Sequence, residues 1–141
     1  MGCSSNRQSI NDIYVKRVID GDTFVGDDDI RYRFFGIDAP ELSDTLRGTI
    51  AKNVLNNWIN KQMIKIKYIT TDVYKRKVVK AFYHHLDIGL ELIKCGYAFV
   101  DYISLQKGNP FYTNDFVYYQ LLLNTQYKAY KAKNGFWANY N

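Results

Sequence analysis

Between Ile10 and Pro40 the chain alternates, turns at glycine, alternates again and stops at a proline, and this pattern constrains the fold more than any other. Residues 10–19 are rich in β-branched side chains, with Ile13, Val15 and Arg17 on one face of an extended strand and Tyr14, Lys16 and Val18 on the other. Asp20-Gly21-Asp22 turns the chain, and Thr23-Phe24-Val25 resumes it. Gly26-Asp27-Asp28-Asp29 makes a second turn. Ile30 to Ile37 then sets Ile30, Tyr32 and Phe34 against Arg31, Arg33 and Phe35. Pro40 has no N–H to offer a ladder, so the run ends there. The reading is a three-stranded meander.

The period then changes. Leu46, Ile50, Val54 and Trp58 recur every four residues over 43–61, joined by Leu55 and Ile59, which predicts a surface helix with one buried stripe. Ser43 or Asp44 can cap its start, and Lys61 suits its end. Strands are expected at 63–69 and 78–83, with a polar connection from Thr70 to Lys77. Ile88 to Lys94 reads as a short helix that Gly96 stops, and Tyr97 to Tyr102 as a return to the barrel wall or its rim. Ser104 to Asn114 is a loop. Phe116 to Lys133 is a last helix, with a stripe through Phe116, Tyr119, Leu123, Tyr127 and Tyr130 and a stop at Gly135. Five short strands with interleaved helices and no βαβ rhythm predict a small closed or nearly closed barrel rather than a doubly wound sheet.

Composition narrows the chemistry. The chain has 141 residues, 47% hydrophobic and 23% charged, which suits one globular domain with its own core. Two cysteines, Cys3 and Cys95, cannot build a disulfide framework, and His84 and His85 stand adjacent with no spaced partners for a zinc site. The net charge of +5 is unevenly spread: residues 1–44 carry five basic and nine acidic side chains, and residues 45–141 carry fourteen and five. A basic body attracts a polyanion, whereas the acidic segment repels one unless a cation sits there. Solvated surface charge is the competing reading.

Within that acidic segment, Asp22 follows the first glycine turn, and Asp38 and Glu41 flank Ala39-Pro40. Arg33 precedes Asp38 on the same expected strand, and Arg76 lies in the later connection beside Asp72, Lys75 and Lys77. The meander can bring Asp22 and Asp38 to within ~5 Å of each other. Two carboxylates that close repel unless a proton or cation separates them, and a hard cation with oxygen ligands answers the problem. Glu41 can then hold a water or act as general base, and Arg33 and Arg76 can grip phosphate oxygens with charge-assisted forks. The plainer alternative makes Asp20 and Asp22 turn residues and Arg33–Asp38 a surface pair worth little. Cys95 reads as a small core residue, Trp58 as helix packing and Asp27-Asp28-Asp29 as a solvated hairpin tip.

The stretch Val18-Ile19-Asp20-Gly21-Asp22-Thr23, followed by Arg33-Phe34-Phe35-Gly36-Ile37-Asp38-Ala39-Pro40-Glu41 and Thr71-Asp72-Val73-Tyr74-Lys75-Arg76, closely resembles the staphylococcal nuclease family of thermonucleases. Leu92-Ile93-Lys94-Cys95-Gly96-Tyr97-Ala98 and Asn134-Gly135-Phe136-Trp137 extend the likeness to about residue 137. The resemblance implies a five-stranded oligonucleotide-binding (OB) barrel with three α-helices. It implies a calcium-dependent nuclease that cuts DNA and RNA with little sequence specificity and leaves 3′-phosphates. Carried over, Asp22 and Asp38 are the calcium carboxylates, and the Ala39 carbonyl is a further ligand. Glu41 activates or orients the attacking water. Arg33 and Arg76 stabilise charge on the phosphoryl oxygens, and Tyr74 and Tyr102 line the nucleotide pocket. All five central polar residues are present. The chain departs from the family in Lys75, where glycine usually precedes the arginine, in the short link after Glu41, and in Gly89, where asparagine is common. Lys75 and Lys77 also add positive charge for substrate. The alternative on the same fold is a catalytically weak nucleic-acid-binding module, and a further rival is a protein-interaction domain using the tyrosine-rich last helix.

Residues 1–9 are small, polar and aperiodic, and predict a disordered tail ahead of a single domain at 10–141. Gly2-Cys3 fits acylation imperfectly, because Asn6 stands where that pattern wants Ser or Thr. Gly2-Cys3-Ser4-Ser5-Asn6 also resembles a bacterial lipoprotein junction, which would give membrane anchorage through a lipidated Cys3 and an extracellular or envelope-attached protein. A plain flexible tail is the third reading. Nothing in the sequence calls for a partner subunit, so a monomer is expected.

Overall fold

The structure, a computed structural model, describes residues 10–140. The expected tail, with Gly2 and Cys3, lies outside the described residues. The meander forms as β1 (Ile10–Asp20), β2 (Thr23–Gly26) and β3 (Arg31–Phe34), followed by β4 (Ile37–Asp38). Helix α1 (Thr45–Ile59) leads to β5 (Met63–Thr71), β6 (Lys77–Tyr83) and β7 (Leu86–Asp87). Helix α2 (Ile88–Lys94), β8 (Phe99–Val100) and α3 (Phe116–Ala132) follow, and a 3-10 turn at Gly135–Asn139 closes the chain.

Strand β1 is hydrogen-bonded to β2 on one side and β5 on the other, β2 to β3, and β5 to β6, all antiparallel. The parallel pairing of β3 with β6, Arg33 opposite Val78, closes the five strands into a barrel. Its interior is filled by Val15, Phe24, Phe34, Ile64 and Val79, each almost fully buried. Fully burying side chains of this kind contributes about 1.5–3 kcal/mol each.

The structure corrects the expected faces at several places. In β1, Val15 pairs with Gly26 and Arg17 with Val25, so two residues oppose one step of β2. This bulge breaks the simple alternation: Val18 turns inward with Ile13 and Val15, and Arg17 is exposed. The run from Ile30 does not reach Asp38 as one strand. The chain turns at Gly36, which has φ of 78°, and Ile37–Asp38 pairs with β8 in a separate two-stranded sheet.

The buried face of α1 is Gly48, Ala51, Leu55 and Ile59, while Leu46 is 71% exposed and Ile50 lies largely on the surface. Val54 and Trp58 pack on the flank of the core. Leu55 and Ile59 are buried as expected, but in the first half of the helix small residues replace Leu46 and Ile50 on the inner face, because the helix lies almost in backbone contact with its neighbours: a Cβ at Gly21 would stand 2.7 Å from Cβ atoms of both Ala39 and Ala51. Asp44 caps α1, accepting the Arg47 N–H. Lys61 lies beyond the helix and donates instead to the Lys16 carbonyl.

In α3 the buried residues are Tyr118, Leu122 and Ala129, and Phe116, Tyr127 and Tyr130 of the expected stripe are exposed. The helix is stopped by Lys133 in a left-handed conformation, not by Gly135, which opens the final turn. Cys95 is half-buried at the C-cap of α2 rather than in the core. His84 and His85 both take positive φ in the tight β6–β7 turn, as a two-residue hairpin of this kind requires. No helix of the described residues is long and apolar enough to cross a membrane.

Candidate active site

Tight packing around Gly21 brings the first turn against the end of β4. Asp22 is only 5% exposed, and both its oxygens are held: Oδ1 accepts the Thr23 hydroxyl at 2.8 Å and Oδ2 the Ala39 N–H at 2.9 Å. This second bond ties the first turn to the Asp38-Ala39 corner seventeen residues later. Asp20 accepts the Asp22 N–H at 3.1 Å.

Arg33 enters from β3 and is 6% exposed. One of its terminal nitrogens lies 3.7 Å from Asp22 Oδ2 and 3.5 Å from Asp38 Oδ1, and the other donates to the Phe34 carbonyl. The guanidinium lies 4.5 Å below the Tyr102 ring, so a ring covers the cation as the carboxylates flank it. Tyr102 takes φ of 54°, an unfavourable conformation for a bulky residue, and is held by the Asp101 carboxylate accepting its N–H. Burial of Arg33 excludes the exposed-surface reading of the Arg33–Asp38 pair.

One buried cation does not balance the acidic groups around it. Burial, reinforced by the Asp22 charge, pushes the Asp20 carboxyl up to about 7. Burial and then Asp22 also raise Asp38, with Arg33 offsetting part of the effect. The Tyr102 phenol is pushed up, first by Asp38 and then by burial. Excess negative charge facing a partly open corner is the electrostatic character of the site.

Glu41 stands on the exposed link to α1, with Ser43 Oγ 3.5 Å from its carboxylate. Its backbone is fixed more firmly than its side chain: the Glu41 carbonyl accepts the Asp44 N–H and lies against Gly48. The link is short, as α1 begins at Thr45.

Arg76 belongs to a second group. Its Nε donates to Asp72 Oδ2 at 2.7 Å, its N–H to Asp72 Oδ1, and its guanidinium lies 5.3 Å from the Tyr74 ring centre. Burial works against the Asp72 carboxylate, but these bonds and the Arg76 charge outweigh it and hold Asp72 below the usual range. Lys75 has φ of 65°, the left-handed conformation that glycine adopts at least cost. Lys77 opens β6 opposite Tyr32. The barrel therefore gathers Asp22, Arg33, Asp38, Ala39 and Tyr102 into one contact group. It leaves Glu41 on the adjoining surface and Tyr74, Lys75 and Arg76 in a self-contained hairpin.

Thr23 and Asp101 join the first group without having been singled out from sequence, and Asp20 is more than a turn residue. Asp-Gly-Asp-Thr carries a local signal for Asp20 and Thr23. Asp101 has none, because only the β4–β8 pairing, Asp38 opposite Phe99, brings its segment to the corner. Gly89 is buried at the start of α2, where a Cβ would find only ordinary contacts with Asp87 and Ile37.

A closed five-stranded barrel carrying three helices is an OB-fold architecture of the kind nucleases use. Residues 31–139 match the family described as staphylococcal nuclease homologue, and the chain belongs to that family. It is also 29% identical, over 135 residues, to a Haemophilus influenzae protein described as an uncharacterized endonuclease, covering 93% of this chain and 68% of that one.

Proposed function

We propose that this chain is a calcium-dependent phosphodiesterase that hydrolyses DNA and RNA with little sequence preference, leaving 3′-phosphate ends. The observation that carries the reading is the corner itself: two carboxylates, Asp22 and Asp38, pressed against one buried guanidinium in a nuclease-family barrel.

The donor set fits a hard cation. Among the described residues no three His, Cys, Asp or Glu side chains converge as a ready-made cage. Calcium, however, takes carbonyl oxygens and water as readily as carboxylates. Asp22, Asp38 and the Ala39 carbonyl would hold it. Burial, and after it the Asp22 charge, raises the Asp38 and Asp20 carboxyls, and a bound cation would favour their ionised forms. When bound, calcium would supply a fixed positive charge for a substrate phosphate and an ordered water.

The remaining chemistry falls to side chains of this chain. Glu41, exposed beside the acidic corner, takes or orients a proton of the attacking water. Arg33, already desolvated, offers N–H donors to the phosphoryl oxygens where charge builds in the transition state, and such preorganised donors are the largest single contribution in many enzymes. Arg76 supplies a second fork and assists departure of the 5′-oxygen, for which its guanidinium must leave Asp72. Tyr74 and Tyr102 offer ring faces to the nucleotide, and Lys75 and Lys77 add charge for the backbone. A monomer, attached to the cell envelope through Cys3, completes the proposal.

Digestion of single-stranded DNA and RNA, with calcium and with chelator, tests it alongside Glu41→Gln and Arg76→Ala. Calcium-dependent cleavage that both substitutions reduce by ~100-fold or more is the expected result. Binding without cleavage in the parent chain would move the assignment to a nucleic-acid-binding module, with the Lys75 turn and the Arg76–Asp72 pair as the cause.

A further inference from the structure

The C-terminal end of α3 carries a surface that neither core packing nor the acidic corner explains. Tyr127, Tyr130 and Tyr140 are 61%, 42% and 56% exposed. Their rings are nevertheless held in a fixed array. Tyr130 meets Trp137 and Tyr140 edge to face at 5.4 and 6.0 Å between centres, Trp137 meets Tyr140 at 5.0 Å, and Tyr127 lies 6.4 Å from Tyr130. At 100° per residue, Tyr127, Tyr130 and Lys131 share one side of the helix, with Lys128 beside them. Residues 116–141 contain three lysines, Lys128, Lys131 and Lys133, and no acidic residue at all. None of the three forms an ion pair among the described residues, and all are exposed.

The array is continuous with the acidic corner. Phe99 pairs with Asp38 across the β4–β8 ladder, and its ring meets Trp137 edge to face at 5.2 Å. Rings therefore run without a break from the Asp38 pairing partner through Trp137 and Tyr130 to Tyr127.

We propose that this face is a second contact surface for single-stranded nucleic acid, with unpaired bases stacking on Tyr127, Tyr130 and Tyr140 and phosphates meeting Lys128 and Lys131. The ligand class rests on the nuclease reading; the surface itself rests on ring exposure and charge. Exposed rings interleaved with unpaired lysines are the combination that grips single strands without regard to sequence, since every base has a π-face and every nucleotide a phosphate. A duplex keeps its base faces stacked and can use only the lysines. Edge-to-face contacts hold Tyr130, Trp137 and Tyr140, and a tilted contact sets Tyr127 against Tyr130, before any ligand arrives, which lowers the ordering cost of binding. The exposed aliphatic residues of α3, Val117 and Leu121, lie about two turns or more before the lysines, so the charged end presents rings rather than an aliphatic membrane-inserting face.

The test is fluorescence anisotropy in chelator, where a calcium-dependent enzyme does not cut. The probes are a labelled 20-nucleotide oligothymidylate, a hairpin duplex and phosphatidylglycerol vesicles. Tyr127→Ala with Lys131→Ala should weaken oligothymidylate binding at least tenfold, and Lys131→Ala alone should lower the salt slope by about 0.7. Tyr127→Phe should keep stacking and bind like the parent. Unchanged affinity in a double variant with parental melting temperature overturns the proposal. So does an equal loss on the duplex, which would reduce the surface to plain charge, and so does binding to vesicles without binding to oligothymidylate. Failure of the parent to cut with calcium refutes the nuclease reading by itself, whereas the anisotropy result in chelator judges this surface independently.

Discussion

Gly48 links the packing of α1 to the position of Glu41, and Gly48→Ala separates the two. A Cβ at this site would stand 2.0 Å from the Glu41 carbonyl oxygen, 2.6 Å from its carbon and 2.9 Å from Leu42 Cα. All three are backbone atoms, so no rotamer change relieves the clash. The exposed 41–44 link must retreat by at least ~1 Å to reach ordinary contact distance. Its movement strains two short bonds, Asp44 N–H to Glu41 O at 2.9 Å and Gly48 N–H to Asp44 O at 2.7 Å. Overpacking of this kind costs about 1–3 kcal/mol. Ala gains about 1 kcal/mol over Gly inside a helix, which offsets part of that cost. The net loss is then about 0–2 kcal/mol, a fall in melting temperature of no more than ~10 °C for a domain of this size. Catalysis should suffer more, because a ~1 Å misplacement of a reacting group can cost ~100-fold. The assay is calcium-dependent cleavage of single-stranded DNA at a temperature where calorimetry shows the variant folded. Full activity in the folded variant would refute the coupling between this glycine and the glutamate. Activity that returns to the parental value on cooling would assign the loss to global stability instead.

Three further outcomes follow from the same geometry. Lys75→Gly removes an L-residue from φ of 65° and should raise stability by about 1 kcal/mol, seen as a melting temperature ~3–5 °C higher; no rise would mean that the lysine side chain stabilises the turn. Asp72 has a lowered carboxyl pKa, so its ion pair with Arg76 contributes stability above the unfolded value of 3.8 that is lost as pH falls below it. Asp72→Asn should therefore melt below the parent at pH 7 and converge with it near pH ~2, and a gap independent of pH would refute the linkage. Asp20, raised to about 7, favours folding fully below pH 3.8, a contribution lost as pH rises through about 7. Calcium should offset that loss, so its melting-temperature increment should be larger at pH 8 than at pH 5. Equal increments would show that the cation binds elsewhere.

The legibility of the chain depends on distance along it. The meander, the Asp44 cap, the Gly96 stop and the positions of all three helices were readable because each follows from residues within one turn or one hairpin. On α1 the sequence places Leu55 and Ile59 inward correctly and misses Gly48 and Ala51. Periodicity counts apolar side chains, but at Gly48 and Ala51 close backbone approach decides burial, and small residues win. The β1 bulge was invisible because it is a property of pairing with β2, not of β1 itself.

The candidate site divides along the same line. The sequence alone determined its chemical inventory: the Asp-Gly-Asp-Thr turn, the Arg33 to Glu41 segment and the Asp72 to Arg76 hairpin, together with Lys75 standing where the resemblance expects glycine. Which of these groups touch was decided only by the tertiary structure. Closure of the barrel by the β3–β6 pairing and the Asp22–Ala39 hydrogen bond buries Arg33 between two carboxylates. The β4–β8 pairing brings in Asp101 and Tyr102 from about sixty residues away, and Arg76 stays tied to its own hairpin. Local steric preferences act between neighbours and are written residue by residue. Burial, desolvation and charge proximity depend on which distant segments share the same few ångströms, and only the folded chain sets that.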